Sequence, residues 1–560
     1  MLYEQQRNAE SYDEWLEASK GLDKLLGFDD WKADPTSPLY QYKVVEHRLG
    51  QLRDARVRGD VEELLFLIRT TLERNLGNMG DPKLYVNSFT GTKHLIEQYI
   101  TECELALDTL LRTDALTDAE LLTDLIQTRK SFGRTALVLS GGSTFGILHI
   151  GVMRELHRAG LLPRIISGSS AGSIFASVLC IHLDEEIEEL LEIPLHKESF
   201  EIFEAAGESE GVLVRLARFL KYGTWFDNQY LCKTMRELLG DLTFQEAYYR
   251  TRRVLNVTVS SASVHETPRL LNYLTAPNVL IWSAVCASCS VPLVFASYDI
   301  LAKNPKTGEH YSWSPSAFID GSVDNDLPLS RLSEMFNVNH FIACQVNPHI
   351  VPFVWLSQAV ETYVDSNVLW HSLWQSTQTA LSNEISHYLL MLSEMGLFKN
   401  ASSKFRAVLA QQYSGDITII PPLLISEFGQ LFKNPSKEFF IEAETRAAQA
   451  TYPKIALIRN HCAVELALDN AIHTLRSRMI PHTLNTSTPP LERRHSSYNR
   501  LYHQRRKSDG LATKYLVRRR SLQVFGKPPS PSISRKTSHI NLAQAARSRR
   551  SSITGAKQFN

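Results

Sequence analysis

The chain has 560 residues, 43% of them hydrophobic and 21% charged, with 27 glycines and 23 prolines, so it exceeds one ordinary domain and is neither collagen-like nor globally disordered. Its 60 basic and 60 acidic residues balance, but residues 491–560 hold 17 basic residues against two acidic ones, so that segment carries +15 and the rest −15. A basic segment attached to an acidic remainder of the chain indicates an anionic partner. That partner is a membrane, a nucleic acid or the acidic remainder itself.

Residues 1–130 show helical periodicity and no strand alternation. Apolar residues recur at helical spacing in Val61–Arg74 and in His94–Leu111. Asp118–Ser131 predicts a third helix, with Asp118 as a possible N-cap. Since no catalytic motif falls here, we interpret this region as a helical scaffold that packs on the rest of the chain.

The pattern changes to alternating strands and helices after residue 130. Thr135–Leu139 and Arg164–Ile166 predict short buried strands, and Ile147–Ala159 and Ala171–His182 predict the helices that follow them. This order is typical of parallel strands joined by right-handed crossovers. Further strands are predicted at Val254–Val259, Phe318–Ile319, His340–Val346 and Ile417–Ile420. We therefore predict an α/β catalytic core over residues 131–350.

The remainder of the chain divides into a helical part and a tail. Val360–Leu397 and Lys437–Leu468 predict long helices, so residues 351–480 are expected to complete the catalytic unit. In residues 481–560 Ser, Arg, Pro and Asn dominate and apolar periodicity is lost, which predicts a disordered basic tail.

Cysteines and apolar stretches bear on compartment and cofactors. Seven scattered cysteines and a polar start, Met1–Glu10, are expected of a reduced, cytosol-facing protein. Cys286 and Cys289 form one CxxC without a second pair, which favours a buried helix face over a zinc site, and no metal or organic cofactor is expected. Polar residues interrupt the apolar stretch Val279–Leu301, so any membrane contact is expected to be peripheral.

A glycine-rich loop, Ser140-Gly141-Gly142-Ser143-Thr144-Phe145-Gly146, joins the first predicted strand to the first helix of the core. Small residues at this place let successive backbone N–H groups point to one spot beside a helix N-terminus. Such a nest holds a phosphate or a developing oxyanion, although a plain tight turn is the simpler alternative. The GGxxxG spacing does not match the dinucleotide fingerprint GxGxxG.

A GxSxG motif, Gly168-Ser169-Ser170-Ala171-Gly172, follows the second strand and opens the second helix. Gly168 and Gly172 allow a sharp turn that exposes the hydroxyl of Ser170, as in a nucleophile elbow. The motif arises often by chance, but its place between a strand and a helix predicts Ser170 as a nucleophile.

Asp320-Gly321 ends a short apolar strand. A carboxylate at the C-terminal end of a strand lies at the edge where α/β sheets build their sites, although Asp-Gly alone is also a common turn. Beside Ser170, Asp320 could accept the hydroxyl proton directly and return it to a leaving alkoxide. An alkoxide leaves more easily than an amine, so this pair favours esters over peptides.

No histidine stands at an obvious catalytic place. A Ser-Asp-His enzyme would need one after Asp320, and His349 is the best candidate. His340 and His371 are weaker candidates, and His149, on the helix after the glycine loop, is expected to be packed.

In this order, the glycine loop, the GxSxG motif and the Asp-Gly pair resemble the patatin-like lipid acyl hydrolases. Ala287-Ser288 and Pro292 are similar to the segment that precedes the aspartate strand in that family. The upstream region is similar to that of fungal and plant triacylglycerol lipases of lipid droplets, at residues 12–18 (YDEWLEA), Leu22-Asp23, Trp31 and 40–53. The resemblance covers residues 10–430.

The resemblance implies a three-layer α/β/α sandwich in which Ser170 is the nucleophile and Asp320 the base. It also implies an oxyanion hole made by the amides around Gly142 and Ser143, in a loop that Gly141 and Gly146 shape.

Two residues depart from the family pattern. Many members have a third glycine where Ser143 stands, but Ser143 still offers an N–H. Many have Arg or Lys where Phe145 stands. The missing cation favours neutral glycerides over lipids with an anionic head group.

Basic residues precede a hydroxyl five times in the tail, at residues 493–496 (RRHS), 505–508 (RRKS), 518–521 (RRRS), 535–538 (RKTS) and 549–552 (RRSS). We interpret these as sites for a basophilic kinase on a polybasic membrane-binding segment, where a phosphate would cancel the attraction to anionic lipid. The alternative is a solvated tail without a partner. A nucleic-acid partner is not expected, because aromatic residues are few and no binding fold surrounds them.

Together these patterns predict a serine lipid acyl hydrolase, most simply a triacylglycerol lipase that mobilises stored neutral lipid. We expect it at a lipid droplet or at the cytosolic face of an intracellular membrane. Three alternatives stay open: phospholipase or lysophospholipid acyltransferase chemistry at the same site, a Ser-Asp-His enzyme, and a non-catalytic lipid-droplet scaffold. The intact pair of Ser170 and Asp320 argues against the scaffold.

Overall fold

The protein was analysed as a computed structural model, which describes residues 1–113, 115–187, 203, 221, 224–261, 268–292, 294–314, 318–322, 326–348 and 414–479. The predicted helix at 360–397, the candidates His349 and His371, and the predicted tail at 481–560 lie outside these residues.

The chain begins with a helical region, as its periodicity predicts. Its helices are α1 (Leu2–Arg7), α2 (Tyr12–Leu26), α3 (Phe28–Ala33), α4 (Tyr42–Arg58), α5 (Val61–Thr71), α6 (His94–Arg112) and α7 (Asp118–Phe132). Helix α5 ends before the predicted Arg74, because Leu72 is extended. The N-cap of α7 is Thr117 rather than Asp118, since the Thr117 hydroxyl accepts the amide of Glu120 in a reciprocal capping box.

Strands and helices alternate from residue 134 onwards. The strands are β1 (Arg134–Leu139), β2 (Ile165–Gly168), β3 (Val254–Ser261), β4 (Arg269–Leu271), β5 (Leu301–Lys303), β6 (His310–Ser312), β7 (Phe318–Asp320), β8 (Val338–Cys344) and β9 (Ile417–Ile419). The helices are α8 (Leu148–Arg158), α9 (Ala171–Ile181), α10 (Asn228–Leu239), α11 (Phe244–Thr251), α12 (Ile281–Ser288), α13 (Leu329–Phe336) and α14 (Lys437–Met479). Helix α14 continues well past the predicted end at Leu468, and the strands predicted at 135, 164, 254, 318, 340 and 417 are confirmed.

The main sheet has the strand order β4-β3-β2-β1-β8-β9, with β7 also paired to β3. Strands β2, β1, β8 and β9 run parallel to β3, whereas β4 and β7 run antiparallel to it. The parallel centre agrees with the prediction, which gave no direction for β7.

Helices cover both faces of the sheet, because alternate residues of a strand point to opposite sides. Leu137 and Leu139 of β1 join a large apolar core with α8, α9, α12 and the first part of α14. Ala136 and Val138 join a smaller core on the other face, which α13 closes with Leu332 and Phe336. The expected three-layer α/β/α architecture is therefore confirmed.

Helix α14 takes part in two separate cores. Its first part, including Phe439 and Phe440, packs on α8 in the core of the sheet. Its last part, from Ala463 to Leu475, completes a second core formed by α4, α5, α6 and α7. A buried ionic cluster lies where the two cores meet, and in it Glu465 of α14 accepts from Arg74 and Arg129 at 2.9 and 2.7 Å.

The first half of the apolar stretch Val279–Leu301 lies inside the molecule, whereas Pro292, Ala296, Ser297 and Asp299 in its second half are exposed. Every residue of α12 is buried, Cys286 included, and so is Cys289, which follows the end of the helix. The interpretation of CxxC as a buried helix face is therefore confirmed, and α12 presents no surface to a membrane. Within the described part of the chain, no helix combines the length and the apolar character needed to cross a bilayer.

Candidate active site

The position of β7 brings the two distant motifs together. Strand β3 pairs with β2 at Val257 and with β7 at Val259, and at both residues it also pairs with β4 on its other side. Strands β2 and β7 must therefore lie end to end along the same edge of β3. Asp320 ends β7 and Ser170 comes two residues after the end of β2, so both lie at this junction.

Ser170 occupies the turn between β2 and α9 in a conformation that is rare for a residue with a side chain, with φ 49° and ψ −125°. Such strain persists only where the surroundings hold it. The amide of Ser170 donates to the hydroxyl oxygen of Ser288 at 2.9 Å, and that hydroxyl donates to the carbonyl of Thr258 at 2.7 Å. The C-terminal residue of α12 thus fixes the elbow against β3.

Both glycines of the elbow are required by close packing. A β-carbon at Gly168 would overlap the carbonyl of Gly172, and one at Gly172 would overlap the carbonyl of Leu139. The turn can therefore approach β1 only if both positions lack a side chain, as the motif predicts.

Asp320 is fully buried beside Ser170. Its amide donates to the carbonyl of Ser290 at 3.0 Å, and its Oδ1 accepts the amide of Ser322 at 2.7 Å. Among the described residues, Oδ2 has no hydrogen-bond partner of standard geometry. The hydroxyl of Ser170 is nevertheless close enough to stabilise the carboxylate. Such long contacts are common in catalytic pairs before substrate binds.

Burial sets the proton affinity of Asp320. Loss of solvent raises the pKa of its carboxyl to about 6, while the hydroxyl of Ser170 and the contacts of Ser322 oppose the rise. A carboxylate with this pKa is ionised at neutral pH and is more basic than an exposed one. It therefore suits the work of a general base.

The glycine loop lies directly above this pair. Gly141 is wedged between the β-carbons of Ser170 and Ser322, and its amide donates to Oδ1 of Asp326 at 2.8 Å. The amides of Gly142 and Ser143 donate to no acceptor in the described ranges, and Ser143 has a left-handed φ of 53°. These two N–H groups remain available to a ligand.

Asp326 is a site residue that sequence reasoning missed. It is fully buried, it holds Gly141 with Oδ1, and it accepts from Asn347 with Oδ2 at 2.7 Å. Burial raises the pKa of its carboxyl to about 7, and the nearby Asp320 contributes to the rise. Three aspartates follow one another in residues 320–326, and nothing in their spacing distinguishes this one from the exposed residue of a turn.

Two further predicted residues pack around the loop. Gly146 abuts Ala171 at the start of α9, where a side chain would collide. A β-carbon at Gly321 would overlap the carbonyl of Thr258 in β3. The structure therefore gathers every residue of the three motifs at one end of the sheet.

The described histidines lie away from the pair. His340 faces Thr135 at the start of β1 and β8, which is the opposite end of these parallel strands from Ser170, and its Nε2 contacts Nδ1 of His461 at 3.0 Å. His149 is buried, and its Nε2 contacts the carbonyl of Ser140 at 2.9 Å. Burial lowers the pKa of His149 to about 4. The prediction that His149 is packed is confirmed, and His340 is not a partner for Asp320.

An apolar cavity of about 120 Å³ opens beside the hydroxyl of Ser170. Its wall includes Ile174 of α9, Met235 of α10, Val294 and Phe432. Phe145 is not part of this wall: it is fully buried and packs on Phe428 and Phe439. No group of three or more His, Cys, Asp or Glu side chains suited to a metal ion occurs in the described ranges.

Two family models match this chain. The model described as "Patatin-like phospholipase" matches residues 137–332, and "Domain of unknown function (DUF3336)" matches residues 1–130.

Curated relatives match far more of the chain. It is 52% identical to triacylglycerol lipase 4 of Saccharomyces cerevisiae, over 87% of this chain and 54% of the relative. It is 39% identical to triacylglycerol lipase ptl3 of Schizosaccharomyces pombe, over 85% of this chain and 97% of the relative. Triacylglycerol lipase SDP1L of Arabidopsis thaliana is 36% identical, over 84% of this chain and 58% of the relative. The chain thus spans about half the length of the first of these relatives.

Proposed function

Because the chain belongs to the patatin-like family of triacylglycerol lipases, we propose that it is a serine lipid acyl hydrolase whose main substrate is triacylglycerol. The observation that carries the proposal is the junction of β2 and β7. There a buried carboxylate, Asp320, with one oxygen lacking a standard partner, lies beside the strained Ser170 at the mouth of an apolar cavity.

Acylation begins when Oγ of Ser170 attacks the carbonyl carbon of an ester. Asp320 takes the hydroxyl proton, and the N–H groups of Gly142 and Ser143 donate to the oxyanion of the tetrahedral intermediate. The intermediate collapses, the C–O bond to the alcohol breaks, and Asp320 returns the proton to the leaving alkoxide. An acyl ester of Ser170 remains.

Deacylation repeats these steps with water. Asp320 takes a proton as water attacks the acyl carbonyl, the same amides stabilise the oxyanion, and the proton returns to Oγ of Ser170 as the fatty acid leaves. The apolar cavity holds the acyl chain during both halves of the reaction, so its wall favours a long hydrocarbon over a polar acyl group.

The site of action follows from the substrate. Triacylglycerol collects in lipid phases, so the enzyme works at a lipid droplet or at the cytosolic face of an intracellular membrane. The basic segment of residues 491–560 adds attraction to anionic lipid, and its five basic-hydroxyl motifs are sites for a basophilic kinase.

The direct test is hydrolysis of emulsified triolein by the purified protein. Wild type should release oleate, and Ser170→Ala or Asp320→Asn should lose at least about 1,000-fold in kcat. A fluorophosphonate probe should label wild type at Ser170 and leave Ser170→Ala unlabelled. An unlabelled, inactive wild type would support the scaffold alternative instead.

Two more assays separate the remaining alternatives. Labelled phosphatidylcholine and lysophospholipid acceptors, run beside triolein, identify phospholipase or acyltransferase chemistry by their products. His349→Ala tests the Ser-Asp-His alternative. If Ser170 and Asp320 act as a dyad, this variant should lose turnover only in part or not at all. If His349 completes a triad, turnover should be abolished.

A further inference from the structure

Residues 424–433, here called the rim segment, carry large apolar side chains on the surface. Leu424 is 44% exposed, Phe428 41% and Phe432 38%. Isolated exposed apolar residues are normal on a soluble protein, but here three large ones fall within one short segment that borders the cavity. Leu424, Phe428 and Phe432 are called the patch below.

The patch is continuous with the inside of the cavity. The ring of Phe432 is part of the cavity wall and meets the ring of the buried Phe203 edge-on, at 6.2 Å between centroids. The ring of Phe428 meets the buried Phe145 edge-on at 6.0 Å. Phe432 is therefore exposed at the surface and also lines the space beside Ser170, whereas Phe428 packs on Phe145 outside the cavity wall.

The backbone of the rim segment is bonded to the glycine loop. The hydroxyl of Ser143 donates to the carbonyl of Leu431 at 2.6 Å, and the amide of Thr144 donates to the same carbonyl at 3.3 Å. The hydroxyl of Thr144 lies 2.9 Å from that carbonyl and 3.0 Å from the carbonyl of Lys433. The patch is thus held at a fixed position relative to the amides of Gly142 and Ser143.

The charges around the patch suit a lipid surface. The acid of the rim segment, Glu427, is buried and bound by Arg446 at 2.7 Å, so it does not face outward. Lys433 and Lys437 are exposed close to the patch in the chain, and the exposed acids Glu438 and Glu442 follow them in α14. Cations that flank exposed apolar side chains are typical of surfaces that lie on phospholipid head groups.

We propose that Leu424, Phe428 and Phe432 form a lipid-docking surface, which seats the mouth of the cavity on a phospholipid-covered neutral-lipid surface. The inference rests on the proposed function, because only a substrate inside a lipid phase needs an apolar path from that phase to Ser170. A protein bound to the same side chains would close this path, whereas a lipid surface supplies the substrate through it.

Flotation with triolein emulsions coated with phosphatidylcholine and phosphatidylserine tests the proposal. The variant Leu424→Ser/Phe428→Ser should bind the emulsion at least fivefold more weakly than wild type and hydrolyse its triolein correspondingly more slowly. Phe432 is left intact because it lines the cavity. The matched control is Leu26→Ser/Phe66→Ser, which removes side chains of the same types that are more exposed (55% and 62%) from α2 and α5, and it should bind as wild type does.

A soluble ester separates this proposal from the proposed function. Hydrolysis of p-nitrophenyl butyrate by the docking variant should stay within twofold of wild type, because the short ester reaches Ser170 from water. If the wild-type protein binds the emulsion but hydrolyses neither triolein nor p-nitrophenyl butyrate, the proposed function is contradicted, while the evidence for the docking surface is unaffected. A docking variant that floats and hydrolyses triolein as wild type does would overturn the docking surface.

Two further measurements keep the test decisive. Leu424→Trp enlarges the patch without exposing a polar group and should bind the emulsion at least twofold more tightly, while Leu26→Trp should not.

Light scattering of wild type and the docking variant detects a second copy of the chain on the patch. A dimer that the substitutions dissociate, with unchanged flotation, would assign the patch to self-association and overturn the lipid assignment.

Discussion

The side chain of Asp320 combines two properties that rarely occur together, full burial and an oxygen without a standard hydrogen bond among its described neighbours. Burial alone disfavours a charged carboxylate, and the Ser170 hydroxyl compensates only partly. The resulting basicity is what a dyad without histidine requires.

The raised pKa of Asp320 predicts the pH dependence of catalysis. A general base works only when it is deprotonated, so kcat/KM should be level above pH 7 and fall about tenfold per pH unit below its pKa of about 6. The measurement is kcat/KM on p-nitrophenyl butyrate between pH 4.5 and 8.5. A midpoint near 4 would mean that Asp320 is solvated in the working enzyme.

Asp326 should behave as a positioning residue, because it touches the glycine loop and not Ser170. Asp326→Ala should lower kcat by about tenfold, since the freed Gly141 no longer aligns the two amides that follow it. KM should change little. Asp326→Asn keeps an oxygen for Gly141 and should recover part of the loss, whereas an equal loss in both variants would point to a general loss of structure.

At the residue scale, local motifs predicted Ser170, Asp320 and the glycines around them. Gly168 and Gly172 could be predicted because the tight turn requires residues without a side chain, and only glycine meets that requirement. Asp326 and Ser288 act through contacts with residues far away in the chain, Gly141 and Ser170, and such partners are invisible before the chain folds.

For the strands, the sequence predicted position better than direction. Hydrophobic runs located six of the seven described strands of the main sheet to within a few residues, because a buried strand needs a short apolar run. They missed β4, whose three residues are too few to show a pattern. They gave no direction for β7, since its three residues are too few to show which neighbour they pair with. Asp320 reaches the site because β7, which runs antiparallel to β3, ends beside the end of β2.

Helix α12 offers a matched pair of serines for testing how an element supports the site. Ser288 connects the amide of Ser170 to Thr258, and Ser283 connects Leu280 to Leu301 in the same way on the same helix. Each change to alanine removes the acceptor of a backbone amide, that of Ser170 or that of Leu301, and should cost about 1–3 kcal/mol in the free energy of unfolding.

Only Ser288→Ala should also reduce kcat, because only that variant releases the strained elbow. Urea denaturation and kinetics on p-nitrophenyl butyrate check the two effects separately. Equal kcat values in Ser288→Ala and Ser283→Ala would show that the elbow holds its conformation without help from α12.

For the whole molecule, the cluster around Glu465 determines how firmly the helical region and the sheet are joined. Glu465 accepts from Arg74, from Arg129 and from the amide of Thr135, all of them largely buried. Its change to Gln leaves buried cations with too little negative charge and should lower the free energy of unfolding by about 3 kcal/mol.

The control for Glu465→Gln is Glu334→Gln, which breaks an exposed pair with Arg331 and should cost less than about 1 kcal/mol. Chemical denaturation followed by circular dichroism measures both. A cost for Glu465→Gln no larger than that of the control would mean that the two cores do not depend on this cluster.

The double role of α14 has a consequence for dividing the chain. A fragment of residues 131–480 would retain the apolar strip from Ala463 to Leu475 but lose the α4–α7 partners that cover it. A fragment that stopped before α14 would uncover α8 instead. Neither piece is a self-sufficient folding unit, so expression trials should start from residues 1–480, and insertions or deletions in evolution should be tolerated outside this span far more readily than within it.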